Sequence, residues 1–348
     1  MAATKRRRVL VSSAVAEPGD PSDGIYGFEQ DPSSGALLAT GAFTPAPAAS
    51  FVSLDPTGTR AYAVEARPVG GVAAFSVAPD GGLAPLGVAR TGGAGPCHLA
   101  VHPGNRLLLA AHYDSGHLSV HRLGPDGAIG DRCDLVRPEG SGPDPERQEH
   151  AHAHFVWPEP SGRFVLLVDL GTDSVRTYAL DQGSGRLEEV RVGRSEPGSG
   201  PRHLRLHPDG YLLVTGELGA SLLRFDYDPE QGAATWRLGV PASQKAGRGD
   251  NYPSELAFSQ DHRFCYVANR GPDTLGVFSL EQEAPVLVAE VPTEGAHPRH
   301  LAVIGEYLYV ANQESASVVA FALDRASGLP RPVSSVALPR PFCVRALP

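Results

Sequence analysis

One motif recurs along the chain and constrains the fold more than any other feature. A short apolar segment ends in a turn, usually at Asp-Pro, His-Pro or Glu-Pro, and a second apolar segment follows. After a polar kink comes a third segment. The motif opens at Phe51-Val52-Ser53-Leu54-Asp55-Pro56, His98-Leu99-Ala100-Val101-His102-Pro103, His154-Phe155-Val156-Trp157-Pro158 and Arg202-His203-Leu204-Arg205-Leu206-His207-Pro208. Looser copies open at Ser254 and Arg299. The copies stand about 44 to 57 residues apart, which is propeller-blade spacing. Second segments fall at 60–64, 107–111, 164–168, 211–215, 264–268 and 307–311. Third segments follow near 72–77, 118–123, 175–180, 222–227, 275–280 and 318–323. Fourth segments are weaker, as at 187–192 and 286–291.

These segments are rich in Val, Leu, Phe and Tyr, are bounded by Gly, Pro and Asp, and show no long helical period. The expectation is an all-β seven-bladed propeller of four-stranded antiparallel blades. Six blades are visible. The seventh is assembled from both ends: segments 8–14 and 25–29 pair with the lone apolar stretch 341–347 and close the ring. The whole chain, 1–348, then reads as one propeller domain, with residues 1–7 a flexible fringe.

The 40 Gly and 32 Pro lie in scattered turn-like clusters, as many tight turns require. Cys97, Cys133, Cys265 and Cys343 lack ligand spacing, which fits a reducing compartment. The Lys5-Arg6-Arg7-Arg8 run is not followed by a secretory apolar region, and no stretch suits a membrane span. A net charge of −9 disfavours a nucleic-acid partner. The expectation is cytoplasmic, without nucleic acid or membrane, as a monomer or weak homodimer.

In a propeller the first strand of each blade lines the axis. Its start and the end of its antiparallel neighbour lie at the same edge, so these positions converge on one channel mouth. The starts supply His98, His154, Arg202, Ser254 and Arg299. The ends supply Glu65, His112, Asp169, Glu217, Arg270 and Gln313. Such a ring suits an anionic substrate with acid–base chemistry beside it. Each residue also has a structural reading. His154 suits a core histidine, the arginines suit ties between blades, Glu217 suits an arginine partner, and Asp169 suits an Asx turn.

The Gly200-Pro201-Arg202-His203, Gly216-Glu217-Leu218, Ala268-Asn269-Arg270, Asp169-Leu170-Gly171-Thr172-Asp173 and Arg147-to-His154 stretches resemble the lactonase-type seven-bladed propeller family. That family includes bacterial 6-phosphogluconolactonases and the fungal 3-carboxy-cis,cis-muconate lactonizing enzyme. The resemblance runs from about Arg8 to Val344. It implies catalytic positions at His154, Arg202, Glu217 and Arg270, no cofactor, and a small anionic lactone as substrate, 6-phosphogluconolactone first. His152, Arg147, Gln148, Asp169, His98 and Arg299 are expected to contact it. The loop 138–149 is expected to cover the cleft and carry Arg147 and Gln148 inward.

Other readings stay open. The same groups suit ring closure of a muconate-like acid, and a propeller also serves as a binding platform. No metal is expected. His150, His152 and His154 alternate, which on a strand gives one shared face, but zinc or manganese there needs a further ligand such as Glu217. No Gly-x-Ser-x-Gly elbow marks a serine nucleophile. Trp157 and Trp236 suit blade packing.

Overall fold

A computed structural model describes residues 6–14, 20–66 and 69–348. It contains seven four-stranded antiparallel sheets, twenty-eight strands in all. Innermost in each sheet are β4 (Val52–Leu54), β8 (Pro96–Val101), β12 (Ala153–Pro158), β16 (Pro201–Leu206), β20 (Tyr252–Phe258), β24 (Pro298–Ile304) and β28 (Pro341–Ala346). Each of these touches the next, and β28 touches β4, so the circle is complete.

Closure uses both ends of the chain. β28 pairs antiparallel with β1 (Arg7–Ser13), which pairs with β2 (Gly24–Gln30) and then β3 (Leu37–Pro45). Val11 stands opposite Val344 and Val9 opposite Ala346. The expected fringe is shorter than seven residues. Arg7 opens β1, and Arg6 pairs with Glu29 at 3.2 Å. Residues 1–5 of that expectation lie outside the described residues.

Burial explains which strands were readable. The second strands are largely buried, and β9 (Leu107–His112) is buried at every position. Each leucine there contributes about 1.5–3 kcal/mol through burial. The outermost strands, such as β3, β7 (Leu83–Arg90) and β15 (Arg186–Arg194), are largely exposed and carry mixed residues. They hold their place by backbone pairing.

A repeated bond ties blades together. Tyr62 donates its hydroxyl hydrogen to the Gly127 carbonyl at 3.0 Å, Tyr266 to Gly328 at 2.9 Å, and Tyr309 to Gly35 at 2.7 Å. Each acceptor sits in the next blade's outer turn at positive φ. A side chain at Gly35 would also strike the Tyr307 ring. Glycine is therefore required there on both counts.

Candidate active site

The site is built from a fault repeated in every complete inner strand. The pairing register of β8, β12, β16, β20 and β24 shifts just after the first residues. A bulge of this kind re-aims side chains. Two consecutive residues of each blade then face the axis at different depths.

The deeper layer is Phe51, His98, Phe155, His203, Glu255, His300 and Cys343, all buried. Its rings meet across the axis. Phe51 lies 4.1 Å from His98 and 6.2 Å from His203, and His98 lies 3.9 Å from Phe155. Glu255 is held there by His203 Nδ1 at 2.9 Å, Arg205 at 3.2 Å and His300 at 3.4 Å. This layer floors the channel.

Above it lies a cleft of about 400 Å³. The upper-layer residues Ser50, Cys97, His154, Arg299 and Phe342 line it, with Ala66, Tyr113, Asp114, Glu217 and Arg270 from the second-strand ends and Arg147 from the covering loop. A groove of about 500 Å³ on the outer rim is larger. Its central arginine, Arg176, is already bonded to Glu189 Oε2 at 2.8 Å and to the Glu139 carbonyl at 2.8 Å.

Glu217 is the centre of the cleft. It follows β17 (Tyr211–Gly216), and its backbone N–H donates to the Gly200 carbonyl at 2.8 Å. Its Oε1 accepts from Arg147 Nη2 at 2.7 Å. Its Oε2 lies 2.8 Å from Arg202 Nε and 2.6 Å from Arg270 Nη2. The arginines are themselves fixed. Arg202 donates to the Ser254 carbonyl at 2.5 Å, Arg270 to the Tyr252 carbonyl at 2.9 Å, and Arg147 to the Tyr113 hydroxyl at 2.8 Å. Burial opposes ionisation of Glu217, but Arg270 and Arg202, with Arg147, outweigh it and hold its carboxyl well below the usual carboxylate range. A carboxylate so stabilised stays ionised and tied to its arginines.

His154 has the opposite character. Burial, reinforced by Arg202 and His203, lowers its pKa well below the ordinary 6.5, so the imidazole is neutral at neutral pH. Its Nδ1 is buried without a hydrogen-bond partner. Among the described residues Arg299 has no carboxylate partner, and it stacks over Phe342 at 5.1 Å. Burial, with Arg202 and Arg270 nearby, depresses its pKa to about 9. Arg147, Arg202 and Arg270 converge on Glu217, and together with Arg299 they outnumber the carboxylates at the cleft, Glu217 and Asp114. Cys97 is not a nucleophile at neutral pH, because burial pushes its thiol up to about 12.

The structure brings His154, Glu217, Arg270, Arg147 and Arg299 together around the cleft, with Arg202 directly behind Glu217. Four other expected contacts fall elsewhere. His98 belongs to the floor and accepts from the Val156 N–H at 3.3 Å. Asp169 caps a turn, accepting from the N–H groups of His152 and Gly171 and from the Thr172 hydroxyl. Gln148 is buried in the wall, donating to the Leu170 carbonyl and to Asp173. His152 bonds the Tyr113 carbonyl through Nδ1 and faces Glu149.

The reason is register. His112, Asp169, Gly216 and Asn312 each pair with the first residue of their inner strand, so they are equivalent. The cleft is lined by the next residue along: Tyr113 and Glu217, with Arg270 in the same place after Asn269. A one-residue slip turns a side chain to the other face. Tyr113 was missed for this reason, and aligning Ala111-His112-Tyr113 with Thr215-Gly216-Glu217 would have found it; Asp114 lines the cleft one residue further on.

The fold is a seven-bladed propeller with a polar, arginine-rich cleft at one end of a floored axis. The chain belongs to the lactonase family of seven-bladed β-propellers, whose description, Lactonase, 7-bladed beta-propeller, matches residues 8–346. It is 34% identical over 334 residues to the 6-phosphogluconolactonase of Bacillus subtilis, covering 94% of this chain and 95% of that one. It is 28% identical over 323 residues to the 6-phosphogluconolactonase of Formosa agariphila, covering 88% and 90%. The crystal structure of a Lactobacillus plantarum protein superposes with a TM-score of 0.91 at 28% identity, covering 99% of this chain and all of that one. The chain is accordingly a hydrolase of lactones. Among the described residues no helix is long and apolar enough to cross a membrane.

Proposed function

We propose that the axial cleft hydrolyses an anionic sugar-acid lactone, with 6-phosphogluconolactone as the first substrate to test. The observation that carries this reading is a neutral imidazole and an arginine without a carboxylate partner in the same cleft as an arginine-bound carboxylate. Arg299 and Arg270 take the substrate's phosphate, since guanidinium groups match such anions in a bidentate manner. His154 accepts a proton from water as the water oxygen attacks the lactone carbonyl carbon. The tetrahedral oxyanion is stabilised by the fixed guanidinium field, which needs no reorganisation during reaction. The bond from that carbon to the ring oxygen then breaks, and the proton on His154 passes to the departing oxygen. Glu217 holds the arginines in place and keeps their charge from repelling one another.

The relatives named 6-phosphogluconolactonase support the phosphorylated substrate, and the four cysteines, free of disulfides, agree with a cytoplasmic setting. The test is opening of freshly prepared 6-phosphogluconolactone by purified protein, followed by proton release. A rate equal to spontaneous hydrolysis would exclude that substrate.

A further inference from the structure

The three alternating histidines do not share a face. β12 begins only at Ala153, so the strand alternation expected for 150, 152 and 154 does not apply to the first two. His154 enters the cleft. His150 and His152 stack on one another outside it, ring centroids 4.3 Å apart, and turn toward Glu149. His150 Nε2 lies 3.2 Å from Glu149 Oε1, and His152 Nε2 lies 3.2 Å from Glu149 Oε2.

The opposite ring nitrogens fix the tautomers. His150 Nδ1 is 2.7 Å from the Ala151 carbonyl, and His152 Nδ1 is 2.8 Å from the Tyr113 carbonyl. A carbonyl oxygen only accepts, so both Nδ1 atoms carry hydrogen. In a neutral imidazole Nε2 is then a lone pair. Two lone pairs therefore face a carboxylate, which is also only an acceptor. The three repel unless positive charge sits among them. A divalent cation placed among the three donor atoms accepts all of them.

Histidines whose Nδ1–H is held by a backbone carbonyl and whose Nε2 points at a carboxylate have the arrangement of metal ligands. The donor atoms lie within 4.8 Å of one another. Rotation of the exposed Glu149 side chain brings such a set toward the spacing of about 3.3 Å between donors on a tetrahedral ion. Imidazole with carboxylate suits zinc and its first-row neighbours.

We propose that Glu149, His150 and His152 bind one divalent cation of the zinc class, with water completing its shell, and that this ion pins the loop delivering Arg147 to the cleft. Arg147 lies two residues before Glu149 and reaches Glu217. Gln148, between them, is already anchored to the Leu170 carbonyl and to Asp173. The ion adds a second fixed point just beyond Gln148 on the same side of Arg147, and its binding does not depend on which lactone the cleft takes.

The test uses untagged full-length protein, stripped of metal and titrated with Zn²⁺ against a chromophoric chelator. The expected result is about one Zn²⁺ per chain, bound at least tenfold more weakly by Glu149→Gln and by His150→Ala. Half-exposed His150 is the safer substitution for folding, which circular dichroism checks. Zn²⁺ should also slow amide hydrogen exchange across residues 140–152 in the wild type and not in His150→Ala. Failure of the wild type to take Zn²⁺ from the chelator overturns the site. So does undiminished binding in both variants. Unchanged exchange in zinc-loaded protein overturns the pinning role.

Discussion

Arg270 Nη2 sits 2.6 Å from Glu217 Oε2, and both side chains are buried. This contact makes Glu217 the partner of a charge cluster, and in the proposed mechanism proton transfer falls to His154. Removing one member of a buried ion pair costs about 3–5 kcal/mol. Glu217→Gln should therefore lower the melting temperature markedly as well as kcat. Millimolar phosphate should restore part of the stability by replacing the lost negative charge. Thermal melts with and without phosphate measure this. A variant as stable as wild type would contradict the role.

His154→Gln should reduce kcat by about 100- to 10,000-fold, the range for loss of a general base. The wild-type pH profile is equally informative. Because the imidazole pKa is held well below 6.5, kcat/KM should stay level as pH falls through 6.5 and decline only further down. An inflection at 6.5 or above would contradict the assignment.

Arg299→Met should raise KM for an anionic lactone by about 10- to 100-fold, as loss of a charge-assisted hydrogen bond of about 1.5–3 kcal/mol implies. Inorganic phosphate should raise the melting temperature of the wild type and much less that of the variant. Equal stabilisation of both proteins would place the anion elsewhere.

Acid should weaken the fold early. His98, His154 and His203 have pKa values lowered well below 6.5 by burial, His112 and His121 are lowered to about 4, and His300 to about 3. Below pH 6.5 the unfolded chain binds protons that the folded chain refuses, so stability falls as pH falls. Glu217 and Glu255, whose pKa values are lowered on folding, add to the loss only below the ordinary 4.5. Urea midpoints at pH 8, 6 and 5 should drop in that order. Equal midpoints at pH 8 and 5 would contradict this balance.

Tyr309→Phe removes the bond to the Gly35 carbonyl and should cost about 1 kcal/mol or more, since the carbonyl is left buried and unpaired. The cleft lies far from this contact in the fold, so kcat should not change. A urea titration beside an activity assay separates the two.

The ring was legible because most blades repeat a mostly apolar, buried second strand, such as Leu107 to Ala111. Outer strands such as β3 were not, because their mostly exposed side chains carry no burial signal. At the site, His154, Arg202 and Arg299 stood at inner-strand starts, and Glu217 and Arg270 at second-strand ends, in the correct register. His98 and Asp169 were read one residue out of step, where Cys97 and Leu170 are the equivalents. A bulge changes depth and direction without changing composition, so an apolar pattern does not reveal it. The tautomers at His150 and His152 depend on carbonyls that only the folded chain brings near.

The aromatic and imidazole layer under the cleft turns a ring that might have been a tunnel into a cup. In the proposed mechanism substrate and product share one doorway, and the opened acid carries one more negative charge than the lactone it came from. On that reading the same arginines that draw the lactone in hold the product more firmly, and turnover is expected to depend on how readily the rim beside Arg147 lets that acid go.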